Sequence, residues 1–109
     1  MFHSCGNLTQ IWDALAETGF DAYQAIQPEE DLARLKALHG HKIALWGGVS
    51  CHNLVVKGPG EIREETKWAC DTCMSGGGFI LGSSHSIGVA AKPENLRAMC
   101  EAAREYGLY

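Results

Sequence analysis

The sequence has no apolar run near the roughly 18 to 20 residues that span a bilayer, and no charged segment followed by an apolar one near its start. That excludes a membrane-spanning helix within these 109 residues, and the expectation is a cytoplasmic protein with no membrane partner. Basic residues are not in excess either. Nine Lys and Arg stand against 13 Asp and Glu, for a net charge of −4. Nucleic acid, whose binders carry a basic face, is therefore not an expected partner. A disulfide framework is also missing. Cys5, Cys51, Cys70, Cys73 and Cys100 are odd in number and irregular in spacing, which points to thiols or metal ligands in a reducing compartment. Nor is there a phosphate loop: Gly76-Gly77-Gly78 has no Lys-Ser/Thr after it and leads into a strand rather than a helix.

What is present is an alternation of short extended runs with longer helical ones, four times over. Phe2 to Cys5 reads as a strand, and Asn7 as the cap of a helix from Leu8 to Thr18 with Leu8, Ile11, Trp12, Leu15 and Ala16 on one face. Gly19 stops it. Phe20 to Ile26 is a second strand. Pro28 at a first helical position, followed by acidic residues, opens a helix whose buried stripe is Leu32, Leu35 and Leu38. Lys42 to Val49 holds the third strand, near-continuously apolar as a parallel strand covered on both faces would be. A loop over Ser50 to Lys57 leads to a helix from about Pro59 to Met74. Phe79 to Leu81 is the fourth strand, and Lys92-Pro93-Glu94 begins a last helix that runs to about Tyr106.

Four strand-helix units in tandem predict an α/β fold with a parallel sheet, right-handed crossovers and helices packed outside it. The chain is one domain, residues 1–109, below the roughly 200 to 250 residues of a complete (β/α)8 barrel, so the expectation is half of a TIM barrel. A half-barrel leaves two strand edges and an inner face open. Either a second copy or the rest of a longer protein should cover them, and Met1 directly before the first strand favours a piece of something longer.

Chemistry gathers at one edge of this framework. The period of two along Phe2 to Cys5 sets His3 and Cys5 on one side at the end of strand one. Tyr23 and Gln24 lie near the end of strand two, Cys51 and His52 follow strand three, and His85 follows strand four. His-x-Cys with a distant third ligand suits a catalytic zinc, whose fourth position stays open for substrate. The alternative is a buried cysteine beside a hydrogen-bonded histidine. Cys51 and His52 are a reserve ligand pair. His39 and His41 fall at the opposite end, in structural or exposed roles. Cys70 and Cys73 sit late in their helix, where the dipole disfavours a thiolate, and read as packing residues, as does Cys100.

His3-Ser4-Cys5-Gly6-Asn7, the run from Gly76 to Ile87, Pro93-Glu94-Asn95-Leu96 and Ala103-Arg104-Glu105-Tyr106-Gly107 together resemble the C-terminal half of the uroporphyrinogen decarboxylase superfamily. The resemblance implies a TIM barrel and one of two chemistries. One is zinc-dependent methyl transfer between a corrinoid protein and a thiol. The other is cofactor-free decarboxylation of uroporphyrinogen III in haem biosynthesis. The His-x-Cys-Gly opening is similar to the zinc motif of the methyltransferase branch, which makes His3 and Cys5 expected ligands. Where that branch carries a third cysteine ligand, this sequence has His85. In the decarboxylase branch a histidine of the corresponding loop contacts the tetrapyrrole, so His85 is a candidate catalytic residue on either reading. The decarboxylase's essential Arg and Asp come from the other half of its barrel. A third expectation is a non-catalytic half-barrel acting as a partner subunit or pairing with itself.

Overall fold

A computed structural model describes residues 1–108. Strands β1 (Phe2–His3), β2 (Ala22–Ile26), β3 (Ala44–Val49) and β4 (Phe79–Ser83) form one parallel sheet in that spatial order. The helices are α1 (Trp12–Ala16), entered through a 3-10 turn at Thr9–Ile11, then α2 (Leu32–His39), α3 (Cys51–Val56), α4 (Pro59–Cys73) and α5 (Pro93–Tyr106). A doubly wound sheet reverses its strand order and carries helices on both faces. Here the order is unbroken, and right-handed crossovers between successive strands then place every helix on the same face. The arrangement is four βα units forming half of a (β/α)8 barrel.

Register divides the sheet into two rows. Phe2, Tyr23, Leu45 and Phe79 are partners across the four strands, and so are His3, Gln24, Trp46 and Ile80. Side chains alternate between faces along a strand, so the two rows point in opposite directions. The first row enters the main core. Tyr23, Leu45 and Phe79 pack there with Trp12, Leu32, Leu35, Ile43, Ala69 and Cys73, with Phe2 at the margin. The second row lies on the face that would be a barrel interior; His3 is exposed and Ile80 is 44% exposed. Gly82 belongs to the same face, where a Cβ would come within 2.8 Å of the Trp46 indole nitrogen. A second core of Val49, Leu54, Ile62 and Ala98 joins α3, α4 and α5.

Local chemistry explains the helix limits. Glu61 reaches back to accept from the Gly58 N–H (3.1 Å) and Pro59 occupies the first turn of α4. In α5 Pro93 starts the helix, and Asn95, Ala98 and Ala102 form its buried stripe. The turn between α4 and β4 needs glycine, since Gly76, Gly77 and Gly78 all have positive φ (77, 77 and 69°).

Several expectations from the sequence are corrected. The segment after β3 is not a loop but α3, capped by the Ser50 hydroxyl on the Asn53 N–H (3.3 Å) and held at its far end by Asn95, which donates to the Leu54 and Lys57 carbonyls. Helix α2 starts at Leu32 behind an Asp31 cap (2.9 Å to the Arg34 N–H), not at Pro28, because Glu30 turns inward. Leu38 is 46% exposed and His39 takes the buried position, as four residues rather than three from Leu35 complete the turn. The first helix is shorter than Leu8 to Thr18, and its tighter opening turn leaves Ile11 exposed. Cys100 is exposed, off the stripe that α5 buries. Among the described residues, no helix is long and apolar enough to cross a membrane.

Candidate metal centre

Strand β1 positions the first two donors. The Ser4 N–H donates to the Gln24 carbonyl (3.0 Å), carrying the pairing one residue past the strand, and the chain then leaves the sheet at Gly6 (φ 91°). Asn7 Oδ1 accepts from the Thr9 N–H (3.0 Å) and caps the turn that follows. His3 and Cys5 therefore emerge side by side at the sheet's C-terminal rim, with Cys5 Sγ 3.7 Å from His3 Nε2. On its other side, His3 Nδ1 meets Gln24 Oε1, its register partner on β2.

The third donor comes from the loop after β4. Ser84 anchors that loop: its N–H donates to the Val49 carbonyl (2.7 Å), its hydroxyl accepts from the Cys51 N–H (3.1 Å), and its carbonyl accepts from Gln27 Nε2 (2.8 Å). The His85 carbonyl is fixed by the Ser83 hydroxyl (2.6 Å) and the Cys51 thiol (3.1 Å). With the main chain so tied, the imidazole of His85 lies edge-on to that of His3, ring centres 5.8 Å apart at 67°. One ligand atom from each of His3, Cys5 and His85 falls within 4.8 Å of the others, and all three residues are exposed at the rim.

The donor types suit a tetrahedral zinc, and the His3–Cys5 spacing is near what one requires. With bonds of about 2.3 Å to sulfur and 2.0 Å to nitrogen, a tetrahedral ion separates its sulfur and nitrogen donors by about 3.5 Å. The sulfur–nitrogen gap of 3.7 Å is close to that value. Two imidazoles and a thiol would leave a tetrahedral zinc one position for a substrate or water.

Other candidates from the sequence do not join this cluster. Cys51 supports the His85 loop through its thiol, and His52 is exposed on α3, so the reserve pair contributes a buttress rather than two converging donors. His39 ends α2 and is buried, with Nε2 3.1 Å from an Asp13 carboxylate oxygen, while His41 is exposed. Cys70 and Cys73 are buried, Cys73 in the main core; burial pushes both thiols up, that of Cys73 to about 11. Tyr23 does not face the mouth: it lies in the core row.

Glu30 escaped the sequence reading, where it counted only as one acid of a first helical turn. It is 5% exposed, and its carboxylate accepts from Trp12 Nε1 (3.1 Å), Tyr23 Oη (2.9 Å), the Leu8 N–H (3.1 Å) and the Gln27 N–H (3.0 Å). Burial, and then the neighbouring Glu30 charge, hold the Tyr23 phenol far above its ordinary range. Glu30 ties the segment after β1 to the segment after β2. Beside it, a pocket of about 240 Å³ is walled by Gln27, Asn53, Glu65 and Ser84. There Glu65 accepts from the Ser50 N–H and Asn53 Nδ2, both at 2.7 Å.

Residues 1–106 match the uroporphyrinogen decarboxylase family. The chain is 28% identical over 107 residues to the methylcobamide:CoM methyltransferase MtaA of Methanosarcina barkeri, covering 97% of this chain and 30% of that protein. Its fold superimposes on a methyltransferase from Methanosarcina mazei with a TM-score of 0.82 at 25% identity, covering 97% of this chain and 31% of that one. The chain thus spans about a third of the length of these relatives.

Proposed function

This chain belongs to the uroporphyrinogen decarboxylase family, and from that premise we propose that its rim is the thiol-activating part of a site for methyl transfer between a corrinoid and a thiol. The observation that carries the reading is the convergence of His3, Cys5 and His85 within 4.8 Å on one open rim. These three residues would hold zinc, which when bound supplies the Lewis acidity that keeps a substrate thiol ionised and nucleophilic at neutral pH. The overall exchange forms a sulfur–carbon bond and leaves the cobalt–carbon electron pair on the corrinoid. Likeness to two methyltransferases of methanogens supports the branch.

The chain's own residues perform the remaining tasks. Ser83, Ser84 and Cys51 fix the His85 loop so that its imidazole stands opposite His3. Trp46 and Ile80 continue the row from Gln24 along the same concave face. The open inner face and the two free strand edges would be completed by the rest of a barrel or by a second copy. Catalysis on a barrel rim draws groups from several strands, so full activity belongs to that completed form. The decarboxylase reading, in which His85 alone meets a substrate carboxylate, leaves Cys5 beside His3 without a task.

Metal content of the purified chain tests the proposal. The expected result is about one zinc per chain, lost in both His3→Ala and Cys5→Ser, as a three-ligand site requires. Methyl transfer from methylcobalamin to a small thiol, assayed with the completed barrel, is expected to fall with the metal. A chain that takes up no zinc under zinc-replete conditions would overturn the reading.

A further inference from the structure

We propose that Gln24 is the positioning residue of this centre, fixing His3 as the tautomer that carries its proton on Nδ1 and presents a bare Nε2 lone pair beside the Cys5 sulfur. The inference rests on the zinc reading above and adds to it the residue that orients one of the ligands.

The argument begins with register. His3 and Gln24 are direct partners across β1 and β2, on the concave face, so their side chains stand next to each other because of backbone pairing and not because a loop brought them together. The two nitrogens of His3 have different surroundings. Nδ1 meets the Gln24 amide oxygen, and Nε2 looks at Cys5 Sγ across 3.7 Å. An amide oxygen only accepts, so the partner nitrogen must donate, and a neutral imidazole that donates from one nitrogen offers a lone pair at the other. That lone pair points into the space shared with Cys5 and His85.

Energetics favour this pairing over a freely turning ring. His3 is exposed, and of its ring neighbours Cys5, His85 and Gln24, only Gln24 meets Nδ1. Gln24 is half-buried within the sheet and its main chain is already held by the Ser4 N–H and by pairing with Trp46 on β3. The partner held within the sheet therefore orients the exposed one. A ligating histidine whose second nitrogen is bound in this way keeps its tautomer and ring angle, and loss of such a partner typically weakens metal binding by about 10- to 100-fold.

The test uses the full chain with two substitutions. Gln24→Met keeps the side-chain length and removes the acceptor; Gln24→Glu keeps an acceptor and removes the amide donor. In metal-free protein, long-range proton–nitrogen NMR should find the His3 proton on Nδ1 in the parent and in Gln24→Glu, and mainly on Nε2 in Gln24→Met. Zinc affinity, measured by competition with a chromophoric chelator, should drop about 10- to 100-fold in Gln24→Met and stay within about threefold of the parent, or tighten, in Gln24→Glu. The cobalt-substituted absorption spectrum should shift only in the Met variant. An Nε2-protonated His3 in the parent would overturn the proposal, as would equal zinc affinity in all three proteins. Should Gln24→Met fail to fold, the parent tautomer and Gln24→Glu still decide it. A parent that binds no zinc while holding the Nδ1 tautomer would instead sink the zinc reading and leave the pairing standing.

Discussion

The two rows of the sheet are built from adjacent residues of the same four strands, yet they live in different worlds. Phe2, Tyr23, Leu45 and Phe79 face the helices, and Leu45 is fully buried. One residue further on, His3, Gln24, Trp46 and Ile80 face the concave side, which is open. The first row is where burial stabilises the fold; the second holds His3, one of the three proposed metal donors, and its partner Gln24. A slip of one residue in register would exchange them, because the side-chain period of a strand is two. The pleat thus separates the buried core row from the row that carries His3.

Substitution in each row is the most forceful way to break the comparison. Leu45→Ala should cost about 2 to 5 kcal/mol, since it removes a fully buried side chain and leaves a cavity against Tyr23 and Phe79. Ile80→Ala, on the open face, should cost less than about 0.5 kcal/mol, as most exposed substitutions do. Urea unfolding measures both. Equal losses would mean that the concave face is covered in solution, by a second copy, and the mass of the particle would then be that of a dimer.

Glu30 sharpens the contrast, as a charged group lodged on the buried side. Glu30→Gln turns one acceptor into a donor facing Trp12 Nε1, Tyr23 Oη and two main-chain N–H groups, and should cost about 1 to 3 kcal/mol. Zinc uptake of the folded fraction should not change, since none of these groups touches the cluster. Loss of zinc binding from correctly folded Glu30→Gln protein would show that the two sides are coupled.

The cysteines give the mildest comparison. Cys5, Cys51 and Cys100 are exposed or half-exposed, while Cys70 and Cys73 are buried. In native, metal-free protein at pH 8, a maleimide should label the first group and leave Cys70 and Cys73 unmodified, as mass spectrometry of peptides will read. The raised Cys73 pKa has a defined sign in stability. Unfolded chain ionises this thiol near its ordinary value of 9, folded chain only near about 11, so unfolding releases a proton between those values. Stability is full below about pH 9 and falls as pH rises toward 11. Cys73→Ala should be less stable at pH 8 yet lose less between pH 9 and pH 11; an unchanged slope would contradict the assignment.

Much of this arrangement was legible from one sequence because it depends on local signals. The continuous apolar run at Ile43 to Trp46 announces a covered parallel strand, and Pro93-Glu94 announces a helix start. His3 and Cys5 could be set on one side from the strand period, and His85 on the same rim from the alternation of elements, and the structure brings these three together. Helix α3 was not legible: it has one buried residue, Leu54, and depends on Asn95 for its last carbonyls, 38 to 41 residues away.

By itself, then, the sequence determined the order of the four strands and of every helix but α3, the rim on which His3, Cys5 and His85 lie and the family to which the chain belongs. These follow from periodicity, capping residues and ordered motifs, all of which act over a few positions. Tertiary structure alone decided that Glu30 turns inward, that Leu38 and Cys100 face solvent, and that Gln24 stands against His3. Each of those depends on which side chain meets which across the sheet or between helices, and on the donors that converge there. Such contacts come from register and packing between distant segments, and no local pattern encodes them.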